Sequence, residues 1–129
     1  MPCPACGTAT LSFPVPPALR EHAPEAGDAA AICPTCLRTH AVDADTESPD
    51  FSTVHPAFPS GEAGAALALA LGLLDSLALR RDAVDACCAH AERAGADVLL
   101  ALDRLAGDAA VDPHVDLDRR RRQLAELLR

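Results

Sequence analysis

The sequence predicts an α+β fold: a small N-terminal β lobe over residues 1–44, then a C-terminal bundle of about four helices over residues 60–129. Three observations predict it. Two Cys-x-x-Cys pairs, 26 residues apart, fall in a stretch of short β-type runs broken by proline. From Ser60 onward the apolar residues recur at helical spacing, with Asp and Ser where helices begin and Gly where they end. Between the two lies an acidic segment, residues 45–59, interrupted by Pro49, Pro56 and Pro59.

In the N-terminal lobe, Thr8 to Pro14, Ala29 to Ile32 and Arg38 to Val42 read as strands. Pro16 to His22 reads as one helical turn, because proline is tolerated at a helix start. Only Leu11, Phe13, Val15, Leu19, Ile32, Leu37 and Val42 are large and apolar here, too few for a core of the lobe's own. The cysteines answer that deficit. In Cys3-Pro4-Ala5-Cys6-Gly7 and Cys33-Pro34-Thr35-Cys36, a two-residue gap turns the chain so that both sulfurs face one site. Proline presets each turn, and Gly7 supplies a positive φ after the first. Two such knuckles put four thiolates, Cys3, Cys6, Cys33 and Cys36, around one ion. Zinc is the expected ion, because a closed four-thiolate shell is structural and needs no redox change. An iron site of rubredoxin type is the alternative. The lobe thus reads as a zinc ribbon whose metal affinity is part of its folding free energy.

In the linker, Phe51 and Phe58 are two of the chain's three aromatics and are expected to anchor the strap on the helices. Ser60 is the expected N-cap of the first helix, with Glu62 in its first turn and Arg80-Arg81 closing its last. This helix is apolar all round, through Leu67, Leu71 and Leu74 on one stripe and Leu69, Leu73 and Leu77 on another. Such a helix is either central in its bundle or at a subunit interface, so a homodimer through Leu67 to Leu77 is one possible partnership. Asp82 is the expected cap of a second helix ending at Gly95, and Asp97 that of a third ending at Gly107. Pro113 and Asp116 precede a fourth, running to the C-terminus.

Composition narrows the function classes. The 129 residues hold 11 basic and 19 acidic side chains, a formal charge of −8, and every basic residue is Arg. An acidic surface retains hydration and solubility where salt screens charge repulsion, so the excess of Asp without Lys points to a salt-rich cell interior. The apolar run from Ala63 to Leu74 is far short of the roughly 20 residues that span a membrane. The N-terminus carries no basic and apolar signal pattern, so a cytoplasmic protein is expected. In a reducing cytoplasm, cysteines are metal ligands or core residues sooner than disulfides. No Gly-rich phosphate loop, nucleophile elbow or paired carboxylates stand out, so the chain is read as no enzyme.

Cys87 and Cys88 share an apolar stripe with Val84 and Ala91 and read as small core residues. A metal shared between Cys87 and His90 is the sharper alternative, and a redox role for the Cys87-Cys88 thiols another. His22 and His40 flank the knuckles and could replace a ligand, although four cysteines complete the shell. His55 and His114 each border a proline and sit in turns. Arg119 to Arg122 fan around a helix, with Asp116–Arg120 and Asp118–Arg122 in the favourable acid-first order, so a self-paired solvated helix is expected. The competing reading is a docking patch for nucleic acid or an acidic protein.

The two cysteine motifs resemble the CPxCG-type zinc ribbons widespread in haloarchaea. Further along, Phe58 to Ala66, Leu71 to Leu79, Leu100 to Ala106 and His114 to Arg121 resemble an uncharacterised haloarchaeal family. The resemblance implies a zinc-ribbon protein with no activity attached; Leu37, standing where the second knuckle's glycine would be, departs from it. The functional expectation is a non-enzymatic protein-interaction adaptor with a structural zinc. The alternative is a nucleic-acid-associated ribbon in transcription or translation.

Overall fold

A computed structural model of the chain describes residues 2–43 and 49–128. Asp45 and Glu47 of the acidic linker, and Arg129, to which the fourth helix is expected to run, lie outside the described residues. The strands are β1 (Leu11–Pro14), β2 (Ala29–Ile32) and β3 (Thr39–Ala41). They form one antiparallel sheet in the order β1-β2-β3, with Leu11 opposite Ile32 and Ala30 opposite Ala41. The helices are α1 (Gly61–Leu73), α2 (Arg81–Arg93), α3 (Val98–Ala106) and α4 (Leu117–Leu127). The architecture is the predicted α+β one, a small sheet followed by four helices. Among the described residues, no helix is long and apolar enough to cross a membrane.

Helix α1 is the axis of the molecule. Its Leu and Ala residues are strong helix formers, and Ala63 to Leu71 are all buried. The chain itself covers both Leu stripes: Leu67, Leu69, Leu71 and Leu74 are 1% exposed each. The helix is therefore central in its own bundle, with Leu73 half-buried at its end. Two glycines make this possible. A Cβ at Gly64 would collide with the Phe51 ring and the Pro59 carbonyl. One at Gly72 would lie 2.7 Å from Thr39 Cβ. Thr39 Oγ1 uses that closeness to donate to the Ala68 carbonyl at 2.7 Å, fastening β3 to α1.

The three phenylalanines join sheet, strap and helices. Phe51 lies 5.7 Å from Phe13 and 5.4 Å from Phe58, ring centre to ring centre, and all three are buried. Both strap aromatics are thus anchored, each contributing about 1.5–3 kcal/mol by burial. His55 clips the strap from outside. Its Nδ1 accepts from Ala57 N–H at 3.0 Å, and its Nε2 lies 3.1 Å from Asp108 Oδ2. One apolar cluster runs from Phe13, Val15, Leu19, Ile32 and Leu37 through the strap to Leu124 of α4. All of the lobe's few large residues except Val42 are therefore part of, or packed against, a common core.

Helix boundaries depart from expectation at one place. α1 ends at Leu73, and Leu74–Ser76 tighten into a 3-10 turn. Arg81 opens α2 and Asp82 lies inside its first turn; Arg80 stands at the N-cap without a side-chain bond. The tightening carries Leu74 and Leu77 into the core and leaves Leu79 88% exposed. Core burial outweighs the fraction of a kcal/mol to about 2 kcal/mol that an Asp cap supplies. Ser60 occupies the N-cap of α1 but makes no side-chain cap bond. Asp97 and Asp116 behave as expected, accepting from Leu100 N–H at 3.0 Å and Arg119 N–H at 3.1 Å.

Candidate metal centre

Each Cys-x-x-Cys segment closes in the same way. In the first, Gly7 N–H donates to the Cys3 carbonyl at 2.7 Å and Cys3 N–H to the Thr8 carbonyl at 2.8 Å. In the second, Leu37 N–H donates to the Cys33 carbonyl at 2.9 Å and Cys33 N–H to the Arg38 carbonyl at 2.9 Å. Both turns need a positive φ after the second cysteine, +77° at Gly7 and +63° at Leu37. A leucine there costs about 1–2 kcal/mol. Its side chain is fully buried in the common core, which contributes about 1.5–3 kcal/mol and offsets the strain. The departure from the glycine pattern is thus how the second knuckle is nailed to the helices.

The four sulfurs converge. Cys3, Cys6, Cys33 and Cys36 have Sγ atoms within 4.8 Å of one another. Cys6 lies 3.2 Å from Cys33 and Cys3 lies 3.7 Å from Cys36. All are free thiols, and the gaps are far beyond the roughly 2.05 Å of a disulfide. Sulfurs at about 2.3 Å from a tetrahedral ion sit about 3.8 Å apart, so this donor set can hold a metal ion. Cys3, Cys33 and Cys36 are buried and Cys6 is exposed.

The surroundings favour negative sulfur on the open side and resist it on the buried side. Hydrogen bonds from the Thr8 hydroxyl and backbone bring the Cys6 thiol down to about 6. Burial pushes Cys33 up to about 12. The Arg38 guanidinium bonds the Cys36 sulfur and is held above its ordinary value by it. His40 Nε2 lies 3.4 Å from Cys3 Sγ, beside the four sulfurs instead of replacing one. His22 pairs with Glu21 at 3.6 Å. Binding a metal requires the protonated thiols to lose their protons.

Other predicted residues do not join this set. Cys87 and Cys88 are buried between α2 and the core, where burial pushes both thiols up to about 12. His90 Nε2 lies 3.1 Å from Glu62 and ties α2 to the start of α1. Of the arginine run, Arg121 Nε bonds Asp103 Oδ1 at 2.6 Å and reaches the Leu99 carbonyl, while Arg120 donates to Gln123 at 2.7 Å. The pairs expected within α4, Asp116–Arg120 and Asp118–Arg122, do not form among the described residues; Asp116 caps the helix instead. Reading the sequence missed three neighbours of the sulfurs: Thr8, Arg38 and the α3–α4 connector. Thr8 and Arg38, each two residues past a knuckle's second cysteine, were findable from position alone. The connector, whose Asp112 and His114 N–H groups bond the Thr35 and Cys36 carbonyls, had no such signal.

With this geometry in view, comparison with known proteins adds one finding: a family of unknown function, DUF6276, matches residues 2–128. The chain belongs to that family. No curated protein and no solved structure matches it. The match covers the cysteine quartet, the strap and all four helices.

Proposed function

We propose that the chain is a zinc-ribbon protein acting as a non-enzymatic protein-interaction adaptor in a salt-rich cytoplasm. The observation that carries the reading is the convergence of four cysteine sulfurs within 4.8 Å, supplied by two matched knuckles. Four thiolates fill a tetrahedral shell and leave no position for a substrate, which is the arrangement of a structural ion. Zinc is favoured over iron because the three aromatic rings pack together in the main core and form no shell around the sulfurs. The formal charge of −8 supports a surface suited to salt. An adaptor is favoured over a nucleic-acid binder because Arg120 and Arg121 are spent on contacts within the chain.

Native mass spectrometry of the full chain tests the metal. One zinc per chain, lost to a strong chelator with a fall in thermal stability, is the expected result; an apo chain of equal stability after zinc addition refutes the reading. Salt-titrated binding to RNA and DNA tests the adaptor role. The expected result is no binding at low or high salt, whereas affinity that falls steeply with salt would favour the nucleic-acid reading.

A further inference from the structure

The second knuckle is gripped from outside by the connector between α3 and α4. Asp112 N–H donates to the Thr35 carbonyl at 2.8 Å, and His114 N–H to the Cys36 carbonyl at 2.9 Å. Pro113 between them has no N–H to donate, so both donors of this short stretch are committed to the knuckle. The two carbonyls belong to the residues whose backbone sets where the Cys36 sulfur points. His114 then turns its ring to the end of α1, with Nε2 3.0 Å from the Leu71 carbonyl. A carbonyl only accepts, so Nε2 carries the proton. Val111 and Val115, on either side, pack against the common core.

We propose that His114 is a positioning residue of the metal centre. It clips the connector to α1, the connector holds the Thr35–Cys36 backbone, and that backbone aims one of the four sulfurs. Metal binding and connector docking are then one coupled equilibrium, and coupling is reciprocal: whatever the metal does for the connector, the connector does for the metal. This inference rests on the four-cysteine metal reading above.

The test uses the full chain with Zn²⁺ against a competing chelator, and Co²⁺ as a spectroscopic probe of thiolate geometry. His114→Phe removes the Nε2–H donor, and His114→Gln keeps a side-chain N–H. The expected result is Zn²⁺ affinity weakened at least about fivefold in His114→Phe, with shifted Co²⁺ bands, and most of both restored in His114→Gln. Continued unreactivity of Cys87 and Cys88 reports that the core is intact. A folded His114→Phe chain with unaltered Zn²⁺ affinity and Co²⁺ spectrum overturns the proposal. Should His114→Phe not fold, amide exchange on the unaltered chain decides. Asp112 and His114 amides exchanging about tenfold faster after metal removal, with α2 still protected, support the coupling; unchanged exchange overturns it. An unaltered chain that takes up no Zn²⁺ overturns both this and the metal reading. One ion bound with no effect of His114→Phe overturns this inference alone.

Discussion

The two knuckles share spacing, turn and hydrogen bonding, yet they stand in opposite surroundings. The first ends in Gly7, and a Cβ added there would meet no atom within 4 Å. Its Cys6 is exposed. The second ends in Leu37, fully buried, and its carbonyls are held by the α3–α4 connector. Both its cysteines are buried. The first knuckle, although its Cys3 is buried, is thus a cover held by its own turn, by the Thr35 hydroxyl donating to Thr8 Oγ1 at 3.2 Å, by His40 beside Cys3 and, when present, by the metal. The second is part of the framework that the helices build. A metal site assembled this way has one half preformed and one half that closes onto it.

Thiol reactivity gives the widest expected difference. In chelated protein at pH 7, Cys6 sits above its value of about 6 and is mostly thiolate, while Cys33 at about 12 is almost wholly thiol. Alkylation should therefore mark Cys6 more than about a hundredfold faster than Cys33, Cys87 or Cys88. Its rate should climb as pH rises through about 6 and level off above, since the reactive form is the deprotonated one. Peptide mapping after timed labelling checks this. Equal rates at Cys6 and Cys33 would mean that the framework half opens as readily as the cover.

Stability measurements sharpen the same contrast. Leu37→Ala removes buried side-chain volume while keeping the strained φ, so a loss of about 2–5 kcal/mol is expected from denaturant unfolding. Gly72→Ala pushes α1 away from Thr39, immediately past the second knuckle, and should cost up to about 3 kcal/mol. A Thr39→Ala partner change would recover part of that if Thr39 is the group that must move, and a double-mutant cycle reads the recovery.

How legible this was depends on the range of the interaction. The cysteine quartet is written in local spacing, because a two-residue gap decides where both sulfurs face. Asp97 and Asp116 were legible as caps because capping is settled within one turn of chain. The end of α1 was not. Gly72 weakens the helix beside Leu73 without marking its end, and the burial of Leu74 and Leu77 that goes with the tighter turn depends on a core distant in sequence. The role of Leu37 was half legible: the missing glycine showed in the sequence, but the core that makes up for it did not. The grip of the connector was illegible because Asp112 and His114 use backbone N–H groups on the knuckle. Every residue but proline carries one, so no residue type announces the contact.

The smallest expected effect isolates what the turn alone contributes. Gly7→Ala adds one methyl group into open space, so packing changes nothing and the whole cost is the positive φ of +77°. That cost is about 1–2 kcal/mol, and the Gly7 N–H bond to the Cys3 carbonyl resists escape to a relaxed backbone. Leu37→Gly reverses the terms at the other knuckle: it relieves the same strain but gives up a buried leucine, so it should still destabilise the fold. Denaturant midpoints for the two variants, each measured with and without metal, separate backbone strain from burial. With metal bound, both turns are held by their sulfurs and both strain costs persist. Without it, the first knuckle is free to relax and Gly7→Ala should become nearly neutral, whereas Leu37→Gly should keep its full penalty because the core holds that turn in either state. A Gly7→Ala cost that survives metal removal would show that the first knuckle, too, is built before the ion arrives.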